Sequence, residues 1–134
     1  ISNITFIIPF STWMMKGYFD SIPTTLEEAA RIDGCSRIQA VRKVIFPLAK
    51  PGIAATATYS AILAWSEFLF ARTFVTRPDR WTITVGMSSL MGEHMIIWGE
   101  VMAAAAISVI PIALIFIFLE KYMVAGVTAG AVKG

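Results

Sequence analysis

The stretch that decides the fold reads VMAAAAISVIPIALIFIFL and occupies residues 101–119, without a charged side chain. Its length is close to the roughly 20 residues that an α-helix needs to cross the hydrocarbon core of a bilayer. Charges mark both ends, because Glu100 precedes the stretch and Glu120 follows it. Pro111 lies near the middle, where a membrane helix tolerates a kink if its neighbours satisfy the freed carbonyl group. The sequence therefore predicts a membrane-spanning helix over residues 100–122.

Two further apolar stretches lie upstream of this span. Residues 53–74 are apolar except for Glu67 and Arg72, and they predict a second spanning helix over residues 52–75. Its first half is rich in Ala, Thr and Ser, small residues that let membrane helices approach closely. Residues 1–22 predict the end of a third spanning helix. A buried helix of a soluble protein is the alternative for any one stretch, but three such stretches in one chain favour an all-α integral membrane bundle.

The composition supports a membrane protein and argues against other classes. Hydrophobic residues make up 57% of the chain and charged residues 15%, with a net charge of +2. The small net charge argues against a nucleic-acid partner. With the single cysteine Cys35 no internal disulfide can form, and the absence of a Cys or His cluster predicts no metal site. Because the chain opens at Ile1 inside an apolar run, we expect it to be the C-terminal part of a longer protein.

The charges between the predicted spans predict the orientation of the chain in the membrane. Residues 76–99 contain only two basic side chains, Arg77 and Arg80, whereas residues 23–51 contain five: Arg31, Arg37, Arg42, Lys43 and Lys50. Short loops rich in Lys and Arg remain in the cytoplasm. We therefore expect residues 23–51 to be cytoplasmic, residues 76–99 to be extracytoplasmic, and residues 123–134 to form a cytoplasmic tail.

The cytoplasmic connection is expected to begin with a short helix. Thr25 and Glu28 have the spacing of a capping box, in which each side chain satisfies a backbone N–H group at the start of a helix. Gly34 predicts the end of this helix, because glycine readily adopts the left-handed conformation found there. Asp33 is expected to fix the turn through hydrogen bonds to backbone N–H groups.

A second short helix is predicted directly after the turn. Ser36 and Gln39 repeat the capping-box spacing, and Pro47 is expected to end or bend the helix. Apolar residues recur at helical spacing, namely Ile38, Val41 and Ile45. A helix pair of this kind suits docking into a groove of a partner protein, and an amphipathic hairpin resting on the bilayer surface is an equal alternative.

The segment EAARIDG at residues 28–34, followed by Pro47 and Pro51, resembles the EAA motif of permease subunits in binding-protein-dependent ABC importers. This resemblance favours the docking interpretation. Three positions depart from the family pattern while keeping small or apolar side chains: Cys35, Val41 and Phe46.

Other residues resemble the carbohydrate branch of that family. Residues 65–68, WSEF, are similar to a Trp-Asn-Glu-Phe run of sugar permeases, and residues 126–134 are similar to the C-terminus of the second permease subunit of the maltose transporter. The resemblance implies an all-α permease fold in the cell membrane. It also implies a second permease subunit, two cytoplasmic ATPase subunits and an extracytoplasmic solute-binding protein as partners.

Under this resemblance the chain has no catalytic residue and binds no cofactor, since ATP and Mg²⁺ are used by the ATPase subunits. The coupling helix is expected around residues 36–44. The residues expected to couple the chain to the ATPase subunits are Glu28, Ala29, Ala30, Asp33, Gly34, Ser36, Ile38, Val41 and Pro47.

Three residues are candidates for other roles. Trp65 and Glu67 are candidates for the translocation path, because an ionisable residue within a membrane marks a functional site by default. Glu67 could instead pair with Arg72 or a neighbouring subunit, or close an outer gate. Lys133 is a candidate contact of the C-terminal tail with the ATPase subunits, and a disordered terminus is the alternative.

Competing functions remain open at this stage. A permease of a related importer for another class of solute is the closest alternative to a sugar permease. A structural or regulatory membrane subunit that moves no solute is a second alternative, and Glu67 argues against it. The chain lacks the motifs of an intramembrane enzyme, such as Gly-x-Ser-x-Gly or paired His and Glu metal ligands.

Overall fold

The computed structural model describes residues 2–92 and 96–131, the segment 123–131 as backbone only, and within these residues the fold is all-helical. The predicted fold class is therefore confirmed. The described helices are α1 (Ser2–Asp20), α2 (Thr25–Ile32), α3 (Arg37–Ala40), α4 (Phe46–Ser66), α5 (Leu69–Phe74), α6 (Ile83–Leu90) and α7 (Trp98–Ala131). A π-helical turn (Val41–Ile45) joins α3 to α4, and a 3₁₀ turn (Pro78–Arg80) precedes α6.

Helix α4 lies at the centre of the bundle, between α1 and α7. Its buried side is built from small residues, which allow close approach of the neighbouring backbones, as the sequence predicted. The hydroxyl groups on this side donate to carbonyl oxygens four residues earlier, from Thr56 to Gly52 at 2.8 Å and from Thr58 to Ala54 at 2.9 Å. The polar atoms of the interface are therefore satisfied within α4 itself.

Helix α7 presents a long apolar surface to its surroundings. Residues Trp98–Tyr122 are the one segment of the described chain that is long and apolar enough to cross a membrane by length and composition, and few of its side chains are buried. Helices α1 and α4 are less apolar, since both contain several hydroxyl-bearing residues and charged side chains, Lys16 and Asp20 in α1 and Lys50 in α4. They remain predicted spans.

The second predicted span is not a single helix. Helix α4 ends at Ser66, Glu67 has an extended backbone (φ −65°, ψ 127°), and α5 begins at Leu69. The prediction of one uninterrupted helix over residues 52–75 is therefore wrong. The physical reason is that the side chain of Glu67 caps the start of α5, which the apolar pattern alone does not reveal.

Pro47 does not end the helix that contains it, so that part of the expectation is wrong, and a bend at Pro47 stays a prediction. The chain stays helical from α3 through the π turn into α4, and Pro47 lies in the first turn of α4. The N–H group of Phe46 bonds to the carbonyl oxygen of Val41, five residues back, as in a π turn. Pro47 lies just after this wide turn, and the missing N–H of a proline is best tolerated in the first turn of an α-helix.

Helix α7 extends beyond the predicted span on the C-terminal side. It begins at Trp98, close to the expected start, and its backbone remains helical to Ala131. The first part of the predicted tail at residues 123–134 is therefore a continuation of α7 rather than an irregular segment.

Candidate functional site

The end of α2 is a Schellman turn centred on Gly34. The Gly34 backbone has φ +85°, its N–H donates to the carbonyl oxygen of Arg31 at 3.1 Å, and the N–H of Cys35 donates to that of Ala30 at 3.0 Å. These two bonds satisfy carbonyl groups that the end of a helix otherwise leaves free. The predicted role of Gly34 as the helix stop is confirmed.

The start of α3 is capped as the sequence predicted. The hydroxyl of Ser36 accepts from the N–H of Gln39 at 3.4 Å, and the Gln39 side-chain oxygen accepts from the N–H of Ser36 at 2.9 Å. This reciprocal pair fixes the direction in which α3 leaves the turn. Together α2, the Gly34 turn and α3 form a hairpin, which we call the α2–α3 hairpin.

The start of α2 differs from the prediction. Thr24 occupies the capping position and Thr25 is already the first helical residue, so the expected capping box of Thr25 and Glu28 does not form. The backbone of Thr24 is already helical, and its carbonyl oxygen accepts from the N–H groups of Glu27 and Glu28. Both carboxylates still lie in the first turn, where a negative charge stabilises the positive end of the helix dipole.

Asp33 does not fix the turn in the expected way. Within residues 2–92 and 96–122, its carboxylate makes no hydrogen bond, and the backbone bonds of the Schellman turn hold the chain instead. The nearest charge contact of the hairpin joins its two helices, with Arg37 Nε 3.9 Å from Glu27 Oε1. Arg37 is largely exposed, so this pair contributes little to stability.

The tip of the α2–α3 hairpin exposes large apolar side chains. Ile32 is 86% exposed and Ile38 is 79% exposed, whereas Ala30 and Ala40 are buried between the hairpin and its neighbours. The other predicted coupling residues also lie on the surface of this segment: Glu28, Ala29, Asp33, Gly34, Ser36, Val41 and Pro47. Seven of the nine predicted residues therefore lie in the α2–α3 hairpin, Val41 lies in the π turn and Pro47 in the first turn of α4, and only Ala30 of the set is buried.

The break after α4 is held by Glu67. Its two carboxylate oxygens accept from the backbone N–H groups of Phe70 (2.5 Å) and Ala71 (3.0 Å), so the side chain caps α5. Its carbonyl oxygen accepts from the hydroxyl of Thr84 on α6 at 2.8 Å. No ion pair joins Glu67 to Arg72 in the described residues. In this structure the carboxylate of Glu67 therefore stabilises the backbone at the start of α5.

Arg72 contacts an aromatic ring instead of a carboxylate. Its guanidinium carbon lies 5.5 Å from the centre of the Trp81 ring, and the indole N–H of Trp81 donates to the carbonyl oxygen of Val75 at 3.0 Å. A cation over an indole face is attracted by the electrons of the ring. These contacts tie the segment before α6 to the end of α5.

Trp65 links α4 to α7. Its indole N–H donates to the carbonyl oxygen of Ser108 at 3.1 Å, one turn before Pro111. The residue is 38% exposed, so part of its surface is still accessible. Trp65 and Glu67 therefore lie at the same end of α4, each with its main polar group engaged by the backbone.

Lys133, the candidate contact of the C-terminal tail, lies outside the described residues. The segment predicted to be extracytoplasmic, residues 76–99, contains α6, with Met87 and Leu90 inside it and Met91 just after it. Sequence reasoning missed Tyr18, whose ring lies on Gly52, and Thr84, because neither belongs to a local pattern. For the contact between Tyr18 and Gly52, the only signal in the sequence was that Gly52 begins a run of small residues.

A bundle of apolar helices with a capped, glycine-turned hairpin between two of them defines a permease-type membrane subunit. The chain belongs to the family described as binding-protein-dependent transport system inner membrane component, whose sequence pattern matches residues 1–129. The family membership expected from the EAARIDG segment is therefore confirmed.

The chain is similar along its whole length to several transport permeases, two of which are named for sugars. It is 42% identical to the trehalose/maltose transport system permease protein MalG of Thermococcus litoralis, over 98% of the chain and 48% of that protein. It is 38% identical to the maltodextrin transport system permease protein MdxG of Bacillus subtilis, over 95% of the chain and 46% of that protein. It is 36% identical to the inner membrane ABC transporter permease protein YcjP of Escherichia coli, over 100% of the chain and 48% of that protein. The chain thus spans about half the length of these relatives.

Proposed function

We propose that this chain is part of a permease subunit that imports a sugar at the expense of ATP hydrolysed by partner subunits. The support for a sugar is the names of the relatives, which include permeases for trehalose, maltose and maltodextrin. The chain supplies membrane helices and a coupling element, and performs no chemistry. ATP and Mg²⁺ are bound by two cytoplasmic ATPase subunits.

One observation carries the coupling proposal: the apolar tip of the α2–α3 hairpin. An ordered hairpin that exposes Ile32 and Ile38 almost completely has apolar surface to bury against something. The Schellman turn and the Ser36 cap fix the tip on both sides, so little ordering entropy is lost when it docks. We assign this tip to a groove on an ATPase subunit, with residues 23–51 in the cytoplasm.

The opposite end of α4 faces the extracytoplasmic side under this proposal. Trp65 and Glu67 lie there beside α6, where a binding protein would deliver the solute and a second permease subunit would complete the path. Trp65 is an aromatic residue that is partly exposed at this end, and an accessible indole suits stacking against a sugar ring. Glu67 shapes the backbone at this point, and whether it also contacts the solute is tested below.

The proposal is tested with the intact importer that contains this chain. The complex is purified with its ATPase subunits and binding protein, placed in vesicles, and supplied with a panel of maltose, trehalose, maltotriose and diacetylchitobiose. We expect one of these sugars to stimulate ATP hydrolysis and to accumulate in the vesicles. Stimulation by amino acids or metal ions, with none by any sugar, would assign the chain to another branch of the family.

Gly34 tests the coupling part of the proposal separately. Pro in place of Gly34 cannot adopt φ +85° and removes the N–H that bonds to the carbonyl oxygen of Arg31, so it destabilises the turn. We expect Gly34→Pro to abolish sugar uptake while the subunit remains in the membrane. Gly34→Asn is the matched control, since Asn tolerates the left-handed conformation and open space surrounds this position. Normal uptake by a well-expressed Gly34→Pro importer would contradict the coupling role.

A further inference from the structure

The ring of Tyr18 closes the contact between α1 and α4 next to the α2–α3 hairpin. The ring lies directly on the backbone of Gly52, so a Cβ atom at position 52 would come within 2.6 Å of ring atoms Cδ1 and Cδ2. Only glycine fits beneath the ring. The Tyr18 hydroxyl also donates to the carbonyl oxygen of Leu48 at 3.2 Å. One aromatic side chain therefore holds the last turn of α1 against two successive turns of α4.

Both ends of the hairpin are attached to the helices that this ring joins. On one side, the Ser21 hydroxyl donates to the carbonyl oxygen of Tyr18 at 2.6 Å and the Ile22 N–H to that of Phe19 at 3.0 Å, so a tight turn connects α1 to α2. On the other side, α3 runs through the π turn into α4 without leaving helical geometry. The hairpin, α1 and α4 thus form a closed ring of connections that is completed by Tyr18 and Gly52.

This arrangement determines how far α1 and α4 each move when a force displaces the α2–α3 hairpin. With the ring contact intact, α1 and α4 keep their spacing and both helices follow the hairpin. Without it, movement of the hairpin can be absorbed as α1 separates from α4 at the hairpin end, and less of the displacement reaches the far end of α4. The small residue at position 52 makes the contact close and leaves it little freedom to slide.

We propose that Tyr18 is a positioning residue for energy coupling, which makes α1 and α4 respond to the α2–α3 hairpin as one body. This inference rests on the proposed function, because it assumes that the hairpin receives force from ATPase subunits. Tyr18 itself contacts neither a solute nor a nucleotide in this role.

The same pair of helices offers a matched control contact farther from the hairpin. Phe10 stacks on Tyr59 with ring centres 4.5 Å apart, and the hydroxyl oxygens of Ser11 and Ser60 are 3.0 Å apart. Phe10 lies about two helical turns before Tyr18 on α1. Removing its ring damages the same interface by a similar amount, but does not open the end that adjoins the hairpin.

The experiment compares Tyr18→Ala, Tyr18→Phe and Phe10→Ala in the reconstituted importer. The measured quantity is the amount of sugar accumulated per ATP hydrolysed, using the panel sugar that stimulates the unmodified importer most. We expect this ratio to fall roughly two- to tenfold in Tyr18→Ala, the effect of losing one pairwise contact. We expect Tyr18→Phe, which keeps the ring on Gly52, to retain most of the ratio. Phe10→Ala is expected to lower thermal stability with the ratio unchanged.

A second pair of variants guards against a loss of folding. Gly52→Ala forces a methyl group into the Tyr18 ring, whereas Tyr18→Leu keeps apolar volume without a flat ring over position 52. Both are expected to lower the ratio if they assemble at all. A ratio in Tyr18→Ala or Tyr18→Leu equal to that of the unmodified importer, or a fall no larger than in Phe10→Ala, would overturn the positioning role. Absence of transport by the unmodified importer would instead count against the proposed function.

Discussion

Glu67 shows how one side chain can satisfy several demands of the backbone in an apolar setting. The break between α4 and α5 leaves N–H groups at the start of α5 without partners in the helix, and such groups are costly away from water. The Glu67 carboxylate accepts from two of them, while its own carbonyl oxygen receives the Thr84 hydroxyl. The residue thus fixes the direction of α5 and the position of α6 together.

The cap predicts a graded response to substitution of Glu67. Glu67→Ala removes both acceptors and should lower the free energy of unfolding by about 1 kcal/mol, the usual cost of losing a helix cap. Glu67→Gln keeps one acceptor oxygen and should lose less. Thermal unfolding of the purified importer measures the order, with uptake at limiting sugar recorded in parallel.

The two readouts separate a structural role of Glu67 from a solute contact. Equal destabilisation by Gln and Ala would contradict the capping role. Unchanged stability of Glu67→Gln together with lost uptake would show that the carboxylate binds the solute. Unchanged uptake by Glu67→Gln would remove Glu67 from the translocation path.

At the scale of elements, α4 and α7 are joined by an indole side chain close to a proline inside α7. Trp65 donates to the carbonyl oxygen of Ser108, and Pro111 lacks the N–H that would bond to the carbonyl of Ile107. A helix with a missing internal bond bends more easily at that point. The Trp65 contact therefore supports α7 where its own backbone is weakest.

Trp65→Phe tests this support. The variant keeps an aromatic ring and loses one hydrogen bond, which should cost about 1 kcal/mol and lower the unfolding midpoint by roughly 2–4 °C. Trp13→Phe serves as the control, because Trp13 is 74% exposed on α1. Equal midpoints for Trp65→Phe and the unmodified importer would show that the bond contributes nothing to stability.

Across the whole molecule, sidedness follows from the order of the elements. The α2–α3 hairpin lies at one end of α4, and the Glu67 break lies at the other, with α6 beside it. If the membrane surrounds α1, α4 and α7, these two regions lie on opposite faces. The single cysteine of the chain, Cys35, is half-buried in the hairpin and provides a natural probe of this arrangement.

In cells that lack the ATPase subunits, so that no docked partner shields the hairpin, labelling of Cys35 with a membrane-impermeant maleimide should succeed in inside-out vesicles and fail in intact cells. The matched control is Asp79→Cys in a Cys35→Ser background, which places the thiol in the exposed 3₁₀ turn before α6 and should reverse the pattern. Any cysteine elsewhere in the full-length subunit is replaced first. Labelling of Cys35 in intact cells would place the hairpin outside and contradict the coupling proposal.

The features that the sequence predicted correctly are those set by neighbouring residues. The turn at Gly34 and the cap formed by Ser36 and Gln39 depend only on residues a few positions apart, so short sequence patterns predict both. The close approach of α4 to its neighbours is likewise visible in its small residues. Family membership followed from the same short segment, because the motif and the turn coincide.

The features that the sequence did not predict depend on contacts between distant residues or on small differences in backbone geometry. The Glu67 break needs Thr84, and the Trp65 bond needs Ser108, which is far along the chain. Helix α2 starts at Thr25 rather than being capped by it, because a backbone turn can begin one residue earlier at little cost. Pro47 was expected to end the helix, but a π turn precedes it and the helix continues into α4.

That π turn also affects how the hairpin tolerates changes in chain length. A π turn contains about one residue more than the 3.6 of an α turn, so Val41–Ile45 stores a surplus residue within the helix. Losing one residue here would restore ordinary winding and leave Ile38 facing in nearly its present direction. The same loss within α4 would rotate everything before it by about 100°. Relatives can therefore differ by one residue at this point and still present the same hairpin surface.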